Sequence, residues 1–254
     1  MDSLPALDWQ RPWYQPWGST GQSVAQAVQQ GQPLHQALNH AALQRAVTCP
    51  RFVAPSAMPD TLAYESFVAS TWQCPTRASL HDFFNGLCWL QFPATKKRLN
   101  TWQSEQIERD GIAGQRGPLR DAITLLDESG ALLCAPDALW QALCAKDWRA
   151  LFIDLRPQWA RARLLVFGHA CLEKLVRPRK PLVSHVYRPP CAMHFDSVND
   201  VQQLDHQLAQ TLSPKWLATK PFAPLPLLGV PGWWPANEDP AFYRDATVFR
   251  PPAP

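Results

Sequence analysis

No stretch of the chain approaches the ~18 consecutive apolar residues that a membrane-spanning helix needs, so no transmembrane helix is expected. The opening MDSLPALDWQRPWYQPW has neither a basic n-region nor an apolar h-region, which argues against a secretory leader. Seven cysteines occur, widely spaced and with no C-x-x-C pair. An odd, scattered set argues against a disulfide framework or a zinc ribbon and for a reducing compartment, so the cytoplasm is the expected location. Glycine-rich nucleotide loops, a G-x-S-x-G elbow and an H-E-x-x-H helix are all missing, and no internal repeat is visible. Charge is also sparse. With 18% charged residues and a net charge of +3, the chain gives no strong nucleic-acid signal.

Apolar side chains, by contrast, make up 46% of 254 residues, enough for a sizeable core. The reading is a predominantly helical α+β fold in one domain spanning 1–254. Residues 1–20 form an N-terminal arm carrying Trp9, Trp13 and Trp17, residues 21–212 a core, and residues 213–254 a Pro- and aromatic-rich arm packed on it. Alanine- and glutamine-rich residues 21–46 predict two helices broken near Gly31–Pro33, with Leu34, Leu38 and Leu43 on the buried face. RDAITLLDESGALL predicts a β-hairpin near 121–135, because Asp127-Glu128-Ser129-Gly130 has turn chemistry between strand-like residues. Leu164–Phe167 and Pro181–Tyr187 read as strands, and Gly168–Leu175 and Val198–Leu212 as helices.

The stretch Pro75–Asn100, PTRASLHDFFNGLCWLQFPATKKRLN, concentrates chemistry beside core-forming surface. Ser79 stands three residues before Asp82, the spacing of a helix start. Leu80, Phe83, Phe84 and Leu87 recur at helical intervals and predict a buried face. His81, Asp82 and Asn85 share the neighbouring stripe. Phe92-Pro93 ends that helix, because a residue before proline avoids the α region. A more polar helix follows over Lys96–Arg109.

Three blocks, PTRASLHDFFNGLCWLQFPATKKRLN with RGPLRDAITLLDESGALL, VFGHACLEKLVRPRK, and LGVPGWWPANEDPAFYRDATVFRPP, together resemble a bacterial family designated domain of unknown function 3025. The resemblance implies a bacterial protein in which the whole chain is one unit. It carries no implication of a particular activity.

Function must then be read from side chains. His169 and Glu173 are four residues apart on one helix, as are His81 and Asn85 on another, and such pairs can present two ligands to one ion. If the two helices face each other, His81, His169 and Glu173 become candidate divalent-metal ligands, with His185 on the next strand within the same set. Asp82 joins His81, His169 and Glu173 as a candidate catalytic group. Arg77, Lys96, Lys97, Arg116 and Arg120 flank the motif near a helix start, an arrangement suited to a small anionic ligand such as a phosphate or carboxylate, with Asn85 beside it. The expected activity is therefore small-anion binding of a hydrolase-like kind, with a divalent metal as the candidate cofactor. The alternative is a structural or partner-binding protein that uses its Trp/Pro-rich arms, since 12 tryptophans and 26 prolines suit a clasp as well as a plug.

Overall fold

Local chemistry sets several helix starts in the computed structural model, which describes residues 4–111, 117–190 and 198–251. The Ser79 hydroxyl accepts the Asp82 amide hydrogen at 3.1 Å and opens α4 (Leu80–Gln91), and prolines at the first turn open α5 (Pro93–Asp110) and α6 (Pro118–Ser129). Before them come α1 (Gly18–Gln29), α2 (Leu34–Gln44) and α3 (Tyr64–Thr71). After them come α7 (Asp137–Ala145), α8 (His169–Lys174), α9 (Val198–Thr211) and α10 (Pro214–Leu217). Strands are short. β1 (Arg51–Val53) pairs parallel with β2 (Gln73–Pro75), and a second sheet has the order β4 (Arg163–Val166), β3 (Gly130–Cys134), β5 (Val183–Tyr187), β6 (Ala223–Pro226). In that sheet β3 runs antiparallel to β4 and parallel to β5, while β5 and β6 are antiparallel. The result is an α+β fold dominated by helix.

Two expectations need correction. The hairpin near 121–135 is not formed: residues 118–129 are helical and run straight into β3. Leu119, Ala122, Ile123 and Leu126 fall at i, i+3, i+4 and i+7, and that apolar face packs on the core with Ala122, Ile123 and Leu126 buried. Helical periodicity thus overrides the turn-like DESG, whose glycine serves instead as the first strand residue. Leu43 is 78% exposed, although Leu34 and Leu38 on the same helix are buried.

The terminal segments hold the central helices in place. Trp13, Tyr14 and Trp17 are buried, Tyr14 stacks on Phe84 at 5.7 Å, and its hydroxyl donates to the Leu172 carbonyl at 2.9 Å. The same tyrosine therefore touches both α4 and α8. Trp13 also meets Trp233 at 5.8 Å, joining the two ends of the chain. Near the C-terminus, Asn237 is buried and donates to the Leu228 and Val230 carbonyls, while Tyr243 stacks on Phe152. Asp205 of α9 accepts the amide hydrogens of Ala94 and Thr95 at 2.8 and 2.7 Å, capping the otherwise unpaired start of α5.

Gly168 fixes how closely α8 approaches α6. A Cβ there would lie 2.5 Å from the Glu128 carbonyl group and the Ser129 amide nitrogen, backbone atoms that cannot swing away. Gly168→Ala is expected to lower stability by about 1–3 kcal/mol through overpacking, measured by denaturant unfolding. Wild-type stability in that variant would contradict the close approach.

Candidate functional site

Helices α3, α4, α5 and α6, with β2 and the start of α8, enclose a cavity of about 340 Å³. Its wall includes Tyr64, Glu65, Arg77, His81, Asp82, Asn85, Trp89, Lys96, Asn100, Gln103, Asp127, Glu128 and His169. Each helix contributes through its own period. His81, Asp82, Asn85 and Trp89 come from successive turns of α4, Lys96, Asn100 and Gln103 from α5, and Ile123, Thr124, Asp127 and Glu128 from α6.

Along one side of this cavity the polar side chains form a continuous series. Glu173 Oε2 lies 3.1 Å from His81 Nδ1, and His81 Nε2 lies 3.1 Å from His169 Nε2. His169 Nδ1 in turn faces Asp127 Oδ2 at 3.7 Å. Asp127 accepts from Lys96 Nζ at 2.5 Å, and Lys96 also donates to Asn85 Oδ1 at 2.9 Å. Asn85 Nδ2 donates to the Tyr64 hydroxyl, which meets Cys74 Sγ at 3.1 Å. Arg77 and Asp82 stand apart as a two-pronged pair, with both N–H···O distances at 3.0 Å and the Arg77 amide donating as well.

The first part of the series has a proton shortage. Two carboxylates with two imidazoles between them make three links, and each link needs one hydrogen. Two neutral imidazoles bring only two. A carboxylate at Glu173 places one hydrogen on His81 Nδ1, so His81 Nε2 then accepts from His169 Nε2. His169 Nδ1 is left bare at the longest link, and no hydrogen-bond partner meets it. Burial, reinforced by Lys96 and His81, lowers His169 from the ordinary 6.5 to about 4 against the opposing pull of Asp127. For Asp127, burial alone would raise the carboxyl, but Lys96, with the two histidines, outweighs it and holds it below its usual range. A third proton completes the series and makes one imidazole cationic.

Of the residues predicted from sequence, His81, Asp82, Asn85, Arg77 and His169 line the cavity, and Glu173 stands behind His81. The remaining three are elsewhere or undescribed. His185 does not line it and is bonded to Ser129 Oγ instead; Arg120 is buried on α6 outside the lining; Arg116 lies outside the described residues. His81, His169 and Glu173 do converge, but as a series: Glu173 meets one nitrogen of His81 and His169 meets the other. Among the described residues, no three His, Cys, Asp or Glu side chains are gathered to hold one ion. Sequence reasoning missed Asp127, read as a turn residue, and the cavity roles of Tyr64, Glu65, Trp89, Asn100, Gln103 and Glu128. A helical reading of α6 would have placed Thr124, Asp127 and Glu128 on one stripe.

The chain belongs to the family described as protein of unknown function DUF3025, whose family model matches residues 50–253. That span contains every side chain of the cavity wall. No curated protein and no solved structure matches the chain. No helix among the described residues is long and apolar enough to cross a membrane.

The depressed His169 pKa has a signed consequence for stability. Between about pH 6.5 and 4 the unfolded chain protonates this histidine while the folded chain does not, so stability falls with acid across that window. The loss is on the order of 3 kcal/mol and levels off below about pH 4. Half-buried His185, also lowered by burial, adds in the same direction. His169→Gln is expected to flatten most of this slope in denaturant unfolding followed against pH; an unchanged slope would contradict the assignment.

Proposed function

We propose that this protein is an enzyme that performs general acid–base chemistry, of hydrolytic type, on a small polar substrate bound in the cavity. The observation that supports the reading is the Glu173–His81–His169–Asp127 series with one hydrogen too few. Such a series takes up a proton at one moment and gives it back at another, which is the task of a group that first activates water and then protonates a leaving atom. His81 is the member placed to exchange with substrate, since its side chain is 38% exposed and lines the cavity. Glu173 orients its ring and stabilises the imidazolium when it forms. His169 and Asp127 extend the path inward to Lys96, whose charge is already balanced and hydrogen-bonded.

An ion set between the two Nε2 atoms would have two imidazole ligands, with no third His, Cys, Asp or Glu grouped beside them among the described residues, so the reading uses the imidazoles as proton carriers. An anionic substrate, the expectation from Arg77 and its neighbours, would meet cations whose charge Asp82 and Asp127 already balance, with the outer N–H groups of Arg77 left to bind it. The charge balance of the wall therefore favours a neutral or cationic substrate.

Turnover of a panel of small esters, amides and phosphoesters by the purified protein tests the reading. His81→Gln is expected to lower kcat by about 10²–10⁴-fold with little change in Tm, and Glu173→Gln to displace the acidic limb of the pH–rate profile. Wild-type kcat in His81→Gln would overturn it.

A further inference from the structure

Donors and acceptors on the cavity wall are not evenly committed. Arg77 gives its Nε–H and one Nη2–H to Asp82, and Lys96 gives hydrogens to Asp127 and Asn85. The Asn85 amide hydrogen goes to Tyr64. Asn100 Nδ2 faces the Glu65 carbonyl at 3.2 Å, and Gln103 Nε2 faces Glu65 Oε1 at 2.8 Å. Since a carbonyl and a carboxylate oxygen only accept, both amide groups must turn their NH2 ends that way. Their oxygens are then the atoms left for the cavity. Asn100 Oδ1, Gln103 Oε1, Glu65 Oε2 and the Glu128 carboxylate thus have no protein donor among the described residues.

The formal charges agree with that count of lone pairs. Among the described residues the wall's cations are Arg77 and Lys96, ion-paired to Asp82 and Asp127, and no described cation of the wall balances Glu65 and Glu128. A ligand is indicated independently by the deep wall, where Trp89 and His169 are 1% and 5% exposed and each has a ring nitrogen with no partner. Unused donors remain as well, Trp89 Nε1, the outer Arg77 N–H groups, and one hydrogen each on Lys96 and the wall amides, so it is the two uncompensated carboxylates that set the sign of the ligand.

We infer that the cavity takes a small cationic ligand, an alkylammonium or guanidinium compound, whose charged end is held by Glu65, Asn100, Gln103 and Glu128 while the rest of the molecule lies toward His81. This rests on the acid–base reading of the site and names its substrate class. A cation with several N–H groups satisfies the free oxygens in one step, whereas a carboxylate or phosphate would confront them.

Calorimetric titration of the full chain with 1,4-diaminobutane, agmatine, butane-1,4-diol and succinate decides the matter. The two cations are expected to bind, and the diol and the diacid to bind at least tenfold more weakly. Glu65→Gln is expected to weaken agmatine about tenfold, as loss of a charge-assisted hydrogen bond does. Glu128→Gln, at an exposed position that leaves the fold undisturbed, should weaken it in the same direction. Binding of succinate in preference to the diamine, absence of binding by either cation, or equal agmatine affinity in both glutamine variants and wild type would overturn the inference. If cations fail to bind yet turnover still depends on His81, only the substrate class is wrong; if cations bind and His81 proves dispensable for turnover, the acid–base reading fails and the ligand class stands.

Discussion

A lysine whose side chain is 5% exposed stays charged only beside a compensating anion, and in this fold that anion is Asp127. The pair joins α5 to α6 at the bottom of the cavity, and Asn85 of α4 completes the lysine's hydrogen bonds. Trp89 lies under the same ammonium, 5.4 Å from ring centre to nitrogen. Removing one member of a buried pair of this kind costs about 3–5 kcal/mol, because its partner is left as an isolated charge. Three helices are thereby fixed at one point, and the negative end of the pair is what His169 faces. The electrostatics of the two histidines follow from that placement.

The rest of the fold brings the histidines to the pair. Gly168 lets α8 rest directly against the end of α6, and Tyr14 ties α4 to α8 through its ring and hydroxyl. The aromatic residues at the two ends of the chain act mainly as packing: Trp13, Trp17, Trp233, Tyr243 and Phe249 are all buried, so these rings are not available to an outside partner. Their large apolar area compensates for a central helix, α4, that is buried on nearly every side while carrying Asp82, Asn85 and Gln91. Each of those polar residues has a partner, in Arg77, in Lys96 and Tyr64, and in the Pro16 carbonyl.

Local signals in the sequence were informative where one period or one cap decided the outcome. Ser79 as helix cap, the break at Phe92-Pro93, and the His169–Glu173 pairing on one helix could all be read from spacing alone. The meeting of His81 with His169 was legible as a conditional, since both sit near the starts of helices that share an apolar core. Two things were hidden. Asp127 lies in a DESG string that looks like a turn, and only the i, i+3, i+4, i+7 pattern behind it shows the helix. Lys96 and Lys97 are adjacent and chemically equal in sequence, yet one is buried against Asp127 and the other sits over Trp72 on the outside. Which of two neighbouring lysines turns inward depends on tertiary packing, and no local pattern encodes it.

The central claim concerns where hydrogens reside on two imidazoles, and nitrogen-15 NMR of the ring nitrogens reads that directly. The account predicts that His169 keeps the shifts of a neutral ring down to about pH 4, that a correlation links its Nε2 to that of His81 across the shared hydrogen, and that Glu173→Gln changes the His81 tautomer. A His169 ring that titrates near 6.5 like a free imidazole, with a His81 tautomer indifferent to Glu173, would contradict it.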